Sequence, residues 1–143
     1  MERKFKFTEH TADTYIEASG SNLKEVFSNI AEGLGFLIIE SDNVDEGIEK
    51  KIEVSAEDKK SLLFDFLSQL LIFQDSESLV FHNVHVEKIE KKENKWFLTA
   101  KAKGEEFNPE KHEQGTHVKA ITYHNMKIEK EKETFKVRVL VDI

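Results

Sequence analysis

Five consecutive residues near the start of the chain, Glu9-His10-Thr11-Ala12-Asp13, bring together two carboxylates, an imidazole and a hydroxyl. They stand between two runs with strand-like alternation, residues 4–7 and 15–18. They therefore fall where the period-2 pattern breaks, and their side chains are not committed to a core face. A turn with polar caps uses the same residue types, because Asp and Thr readily hydrogen-bond nearby backbone. The other end adds a second acidic group: Val141-Asp142-Ile143 lies directly on the end of a strongly alternating strand, with the terminal carboxylate beside Asp142. If that end comes next to the first loop, Asp13, Asp142 and the Ile143 carboxylate or carbonyl supply three hard oxygen ligands. Such a set suits calcium, magnesium or manganese better than zinc. Like-charged groups this close repel unless a cation lies between them. Two unrelated surface aspartates give the same spacing, and spacing alone does not decide between the two readings.

A second candidate is His117-Val118-Lys119-Ala120-Ile121-Thr122-Tyr123-His124. Read as a strand, it puts His117, Lys119, Ile121 and Tyr123 on one face and Val118, Ala120, Thr122 and His124 on the other. His117 and Lys119 then suit a phosphate or a partner's carboxylate, and an exposed strand face without a ligand looks the same. His82 and His85 are an odd number of residues apart and fall on opposite faces of a regular strand, which argues against a shared metal. The acidic connection 41–47 holds Asp42, Asn43, Asp45 and Glu46 and loosely resembles the start of a calcium loop. It lacks the glycine at the turn and the closing Glu that such a loop needs.

Several elements must position these groups. Gly20-Ser21-Asn22 stops a strand and caps a helix, with Glu25 three residues after Asn22 as in a capping box. Leu23, Val26, Phe27, Ile30 and Leu34 recur at helical spacing, and Gly33 and Gly35 mark a candidate exit. Residues 48–54 form a strand. After candidate caps at Ser55 and Asp58, Leu62, Leu63, Phe66, Leu67, Leu70 and Leu71 make a wide apolar stripe, broadened by Phe64, Ile72 and Phe73, on a second helix that must face a core. Residues 79–89 and 96–103 read as a hairpin around a solvated turn at 90–95, followed by a polar loop at 104–115. Residues 117–130 and 133–143 read as a second hairpin. The order β-β-α-β-α-β-β-β-β predicts an α+β fold, a mostly antiparallel mixed sheet with two amphipathic helices packed on one face.

Composition narrows the classes further. A chain of 143 residues with one Pro and no linker-like stretch is expected to form a single domain over 1–143. Absence of cysteine excludes a disulfide framework, a thiolate metal site and a Cys nucleophile. No apolar run resembles a signal peptide or a membrane span, so the expectation is a soluble cytoplasmic protein with no membrane contact. The formal net charge of −7, from 28 acidic against 21 basic side chains, disfavours strong direct binding of nucleic acid.

The residues resemble the archease family. His10-Thr11-Ala12-Asp13 after a short first strand, Gly104-Glu105 before a polar loop, Lys119-Ala120-Ile121-Thr122-Tyr123-His124 and the terminal Val141-Asp142-Ile143 are similar to that family's signature, in the same order. Gly20 and Phe27 fit its first helical segment, while Glu9 stands where members often have Asp. The resemblance implies an activator that is not itself an enzyme. Its implied partner is the tRNA-splicing RNA ligase, which joins 2′,3′-cyclic-phosphate or 3′-phosphate ends to 5′-hydroxyl ends. The activator's implied role is to promote guanylylation of the ligase's histidine and to support multiple turnover. It also implies a divalent metal, calcium before magnesium or manganese, on Asp13, Asp142 and Ile143, with His10, Lys119 and His124 forming the surface beside it. The competing expectations are a metal-dependent phosphoester hydrolase built on Asp13, His10 and His124, or a general chaperone or modulator of RNA-modifying enzymes such as a tRNA methyltransferase.

Overall fold

The computed structural model describes residues 4–9, 13–40 and 42–143 of the chain. Polar caps set where the helices begin. Asn22 is extended, and its side chain accepts the Glu25 N–H at 2.8 Å, starting α1 (Leu23–Ile38). Asp58 accepts the Ser61 N–H at 2.7 Å at the head of α2 (Lys59–Glu77). Each cap satisfies a donor that a helix start would otherwise leave without a partner. The predicted exit of α1 at Gly33 and Gly35 is displaced, because the helix continues through both to Ile38. These glycines mark close packing: a Cβ on Gly35 would collide with the Phe81 carbonyl, and one on Gly33 would press on Ile16 and the Phe5 ring at 3.0 Å. On α2 the Leu62, Leu63, Phe66, Leu67, Leu70 and Leu71 stripe is buried as expected, whereas Ile72 turns to solvent at 54% exposure.

The strands are β1 (Phe5–Glu9), β2 (Asp13–Gly20), β3 (Ile48–Ala56), β4 (Leu79–Lys92), β5 (Lys95–Glu106), β6 (Ala120–Glu131) and β7 (Thr134–Asp142). They join into two sheets, ordered β1-β2-β7-β6 and β3-β5-β4, with every pairing antiparallel. The α+β class is as the pattern predicts, but the strands are divided between two sheets. Each helix lies against both, α1 against β2 and β4, α2 against β3 and β6. Two helices with wide apolar stripes are thereby covered from two sides, which one flat sheet could not do. Hairpin β4–β5 turns more tightly than predicted: Lys92 pairs with Lys95, and Glu93 and Asn94 between them have φ of 51° and 66°. Positive φ at both central residues makes the turn whose twist matches that of paired strands.

The four-stranded sheet has a covered face and an opposite one. Thr14, Ile16 and Ala18 of β2 pair with Val141, Val139 and Val137 of β7, and all six are buried. The residues between them, Asp13, Tyr15, Glu17 and Ser19 against Asp142, Leu140, Arg138 and Lys136, take the other face, because side chains alternate along a strand. Among the described residues no helix is long and apolar enough to cross a membrane.

Candidate functional site

Strands β2 and β7 are neighbours, and their register sets Asp13 directly opposite Asp142. Opposed residues of an antiparallel pair share a face, with Cβ atoms about 4.5–5.5 Å apart. Both aspartates are half-buried. On the far side of Asp142 the paired residue is Ala120 of β6, and the Lys119 N–H donates to the Asp142 carbonyl at 2.8 Å. Ile143 follows at once and is half-buried. Asp13, at the start of β2, and the 141–143 segment thus meet at one end of the sheet. Like charges facing one another across a ladder are destabilising, so such a pair favours a cation between its members. The donor set is all oxygen, as calcium, magnesium or manganese requires. Among the described residues no three or more His, Cys, Asp or Glu side chains come together as a metal site. Ile143 brings main-chain oxygen to the same end of the ladder. His10, Thr11 and Ala12 lie outside the described residues.

A small platform underlies the pair on the same face. In the next row Tyr15, Leu140 and Thr122 line up, and the Thr122 hydroxyl donates to the Leu140 carbonyl at 3.0 Å. Leu140 is 5% exposed although it points away from the main core. Beyond Thr122 the β6–β7 register slips, and Asn125 within the slip has φ of 55°. Its Nδ2 donates to the Tyr15 hydroxyl at 2.8 Å, while the Arg138 guanidinium lies 4.8 Å from the Tyr15 ring centroid. Such a cation over a ring is attracted by its quadrupole. The bulge therefore fixes Tyr15 and Arg138 beneath the aspartates.

The model of the Archease protein family (MTH1598/TM1083) matches residues 5–143. The chain belongs to the archease family. It is 48% identical over 128 residues to the protein archease of Thermococcus kodakarensis, covering 90% of this chain and 89% of that one. With the protein archease of Methanosarcina acetivorans it shares 37% over 141 residues, 99% and 97% of the two chains. Its fold is similar to the solution structure of Methanobacterium thermoautotrophicum protein 1598, with a TM-score of 0.83 and 35% identity over 98% of this chain and 99% of that one. The crystal structure of a Thermotoga maritima archease, described as a possible chaperone, is similar at a TM-score of 0.56 and 25% identity, over 96% of each chain.

The remaining archease signature residues are placed unevenly. The predicted division of faces over 117–124 does not hold. Val118 and Ile121 are both buried, whereas Lys119, Ala120, Tyr123 and His124 are exposed. The strand begins only at Ala120, and Lys119 is bonded through its backbone to the edge of the acidic pair. His117 is exposed ahead of it, and His124 is exposed inside the bulge. Tyr123 stacks on Phe64 of α2 at 4.2 Å between centroids and 7° between planes. One signal in the sequence marks the bulge: buried Ile121 and Met126 are five apart, an odd step that a regular strand cannot place on one face.

The 104–115 region is more ordered than a polar loop. Gly104, Glu105 and Glu106 belong to β5, and His112 is only 4% exposed. One Glu105 carboxylate oxygen accepts from the Asp45 N–H at 2.6 Å, from Lys111 Nζ at 2.7 Å and from His112 Nε2 at 3.0 Å. The Asn108 N–H donates to His112 Nδ1, which assigns the ring proton to Nε2. The Lys111 ammonium first, and then the Asp45 N–H, hold the Glu105 carboxyl down at about 2. Asp45, a candidate in the acidic connection, is thus spent on Lys111 at 2.8 Å. Farther along, the Gly115 and Thr116 N–H groups donate to the Ile38 and Leu37 carbonyls, both at 2.8 Å. They satisfy the end of α1 and feed the chain into 117–119 beside the aspartates.

Proposed function

We propose that this protein is a non-catalytic activator of the RNA ligase that joins 2′,3′-cyclic-phosphate or 3′-phosphate ends to 5′-hydroxyl ends, promoting its guanylylation and its multiple turnover. The observation that carries the reading is the direct opposition of Asp13 and Asp142 at one end of the sheet face turned away from the main core, in a chain of the archease family. Asp13, Asp142 and an oxygen of Ile143 would hold a divalent cation, calcium before magnesium or manganese. When bound, such a cation supplies charge that offsets negative charge on nucleotide phosphates. The chain's own part is positional: the Lys119 N–H holds the Asp142 backbone and the Thr122 hydroxyl holds Leu140, so the acidic end is presented on a rigid ladder. An acidic projection suits a ligase pocket that is basic because it binds RNA and nucleotide. His10, Lys119 and His124 would form the surrounding contact surface.

The test is ligase turnover with and without the activator. Asp13→Ala and Asp142→Ala are expected to fold as the wild type and to lose stimulation, at least tenfold in turnovers per ligase. Full stimulation by both variants overturns the reading. The Thermotoga maritima relative's description as a possible chaperone favours a second reading, a general modulator of RNA-modifying enzymes. Recovery of a tRNA methyltransferase in place of the ligase by the tagged protein would select it.

A further inference from the structure

Past the aspartates and the Tyr15 platform, the same sheet face changes sign. The next row across all four strands is Lys6, Glu17, Arg138 and Lys127, and the row after it places Ser19, Lys136 and Glu129 side by side, with Lys4 bonded through its carbonyl to the Ser19 N–H. These residues line a shallow groove of about 530 Å³. Five cations and two carboxylates meet there in a chain whose formal net charge is −7. Arg138 is held in place over Tyr15, with its Nε directed to the Asn125 carbonyl at 3.4 Å. Lys6 reaches Glu17 at 3.4 Å and Lys136 reaches Glu131 at 3.1 Å, pairs open to solvent that contribute little and exchange readily.

We propose that this groove is a phosphodiester track for single-stranded RNA, on the same face as the acidic pair. Lys136 and Arg138 are two apart on one strand, about 6.8 Å, and Lys127 lies on the adjacent strand about 4.8 Å away. That lattice suits successive phosphates of one nucleic-acid strand. The two rows carry only charged and polar side chains, and the apolar residues of the lining, Phe5, Ala18 and Val137, belong to the alternate positions of their strands. A protein partner would favour an apolar centre depleted in Lys, whereas phosphate contact depends on Lys and Arg. From Asp13 to Glu17 is four residues, about 14 Å. RNA leaving a catalytic centre engaged by the acidic end would meet the cations within a few nucleotides. This places the ligase's RNA substrate on the activator and rests on the proposed activator role, although its test needs no ligase.

The probe is a fluorescein-labelled oligouridylate, titrated with the full chain and read by anisotropy. Binding is expected to be weak, with a dissociation constant of tens of micromolar at 50 mM salt, about the range of non-specific contacts. Three phosphate contacts give a log–log salt slope of about −2, or roughly 20-fold weaker binding at 200 mM. Lys127→Ala/Lys136→Ala, both exposed sites, is expected to weaken binding about tenfold and to reduce the slope by about 1.4. Asp13→Ala should bind the oligonucleotide at least as well as wild type, which separates this proposal from the activator reading. No saturable binding at 50 mM salt, or binding unchanged in the double variant, overturns it. So does loss of ligase association in the double variant without any RNA binding by the wild type, which would assign the groove to an acidic protein surface.

Discussion

Asp13 and Asp142 set two demands against each other. Facing one another on one sheet face, they destabilise the free protein, while the same opposition is what a cation would use. Asp13→Asn should therefore raise the melting temperature in chelator by a few degrees, the equivalent of about 0.5–1 kcal/mol. In millimolar calcium, wild type should gain stability through linkage and the variant should not. Differential scanning fluorimetry with and without calcium reads both effects, and an equal calcium response in the two proteins would remove the ion from this site. Glu105 has the opposite character, a carboxylate surrounded by donors. Its pKa is depressed from 4.5 to about 2, so its stabilisation is complete above the ordinary value and is lost as pH falls from about 4.5 through 2. Glu105→Gln is expected to cost about 1–2 kcal/mol at pH 7, discounted for the exposure of Lys111 and Asp45. The gap to wild type should close in denaturation curves taken toward pH 2.

Element boundaries show where sequence pattern and packing part company. The caps at Asn22 and Asp58, the α2 stripe and the valine face of β7 were legible, because each rests on local chemistry or on a regular period. The convergence of Asp13 with Asp142 could be posed from the sequence but not decided, since β2–β7 pairing joins residues far apart in the chain. Gly35 misled for a related reason. Within one helix it signals an exit, yet its cause is the Phe81 carbonyl of β4. The β6 face division failed because a bulge carries Asn125 at positive φ, and the clamp on Glu105 stayed hidden because its partners come from two other segments, Asp45 from one and Lys111 and His112 from another. Gly35→Ala separates local propensity from packing. Helix propensity alone predicts a gain of about 1 kcal/mol, whereas collision with β4 backbone costs about 3 kcal/mol and predicts a net loss of about 2 kcal/mol. Urea denaturation should show the loss, with Gly47→Ala, where a Cβ meets nothing within 4 Å, close to neutral.

At the scale of the whole molecule, two sheets and two helices depend on one continuous core. Phe27 of α1 and Phe66 of α2 are both fully buried, with ring centroids 6.5 Å apart and planes 12° apart. Each helix also packs on both sheets, so this ring pair couples the sheet carrying the aspartates to the sheet carrying Trp96. A domain of this size holds about 7–20 kcal/mol in total. Phe27→Ala removes an aromatic side chain from a closed site and is expected to cost about 3–5 kcal/mol. If the core is one cooperative unit, Trp96 fluorescence and far-UV ellipticity should move to the same lower urea midpoint with little change in slope. A variant in which Trp96 keeps its wild-type midpoint while ellipticity falls early would mean that the sheets unfold separately. In that event the acidic end would owe its rigidity to the β2–β7 ladder alone, and the coupling assigned here to α1 would be wrong.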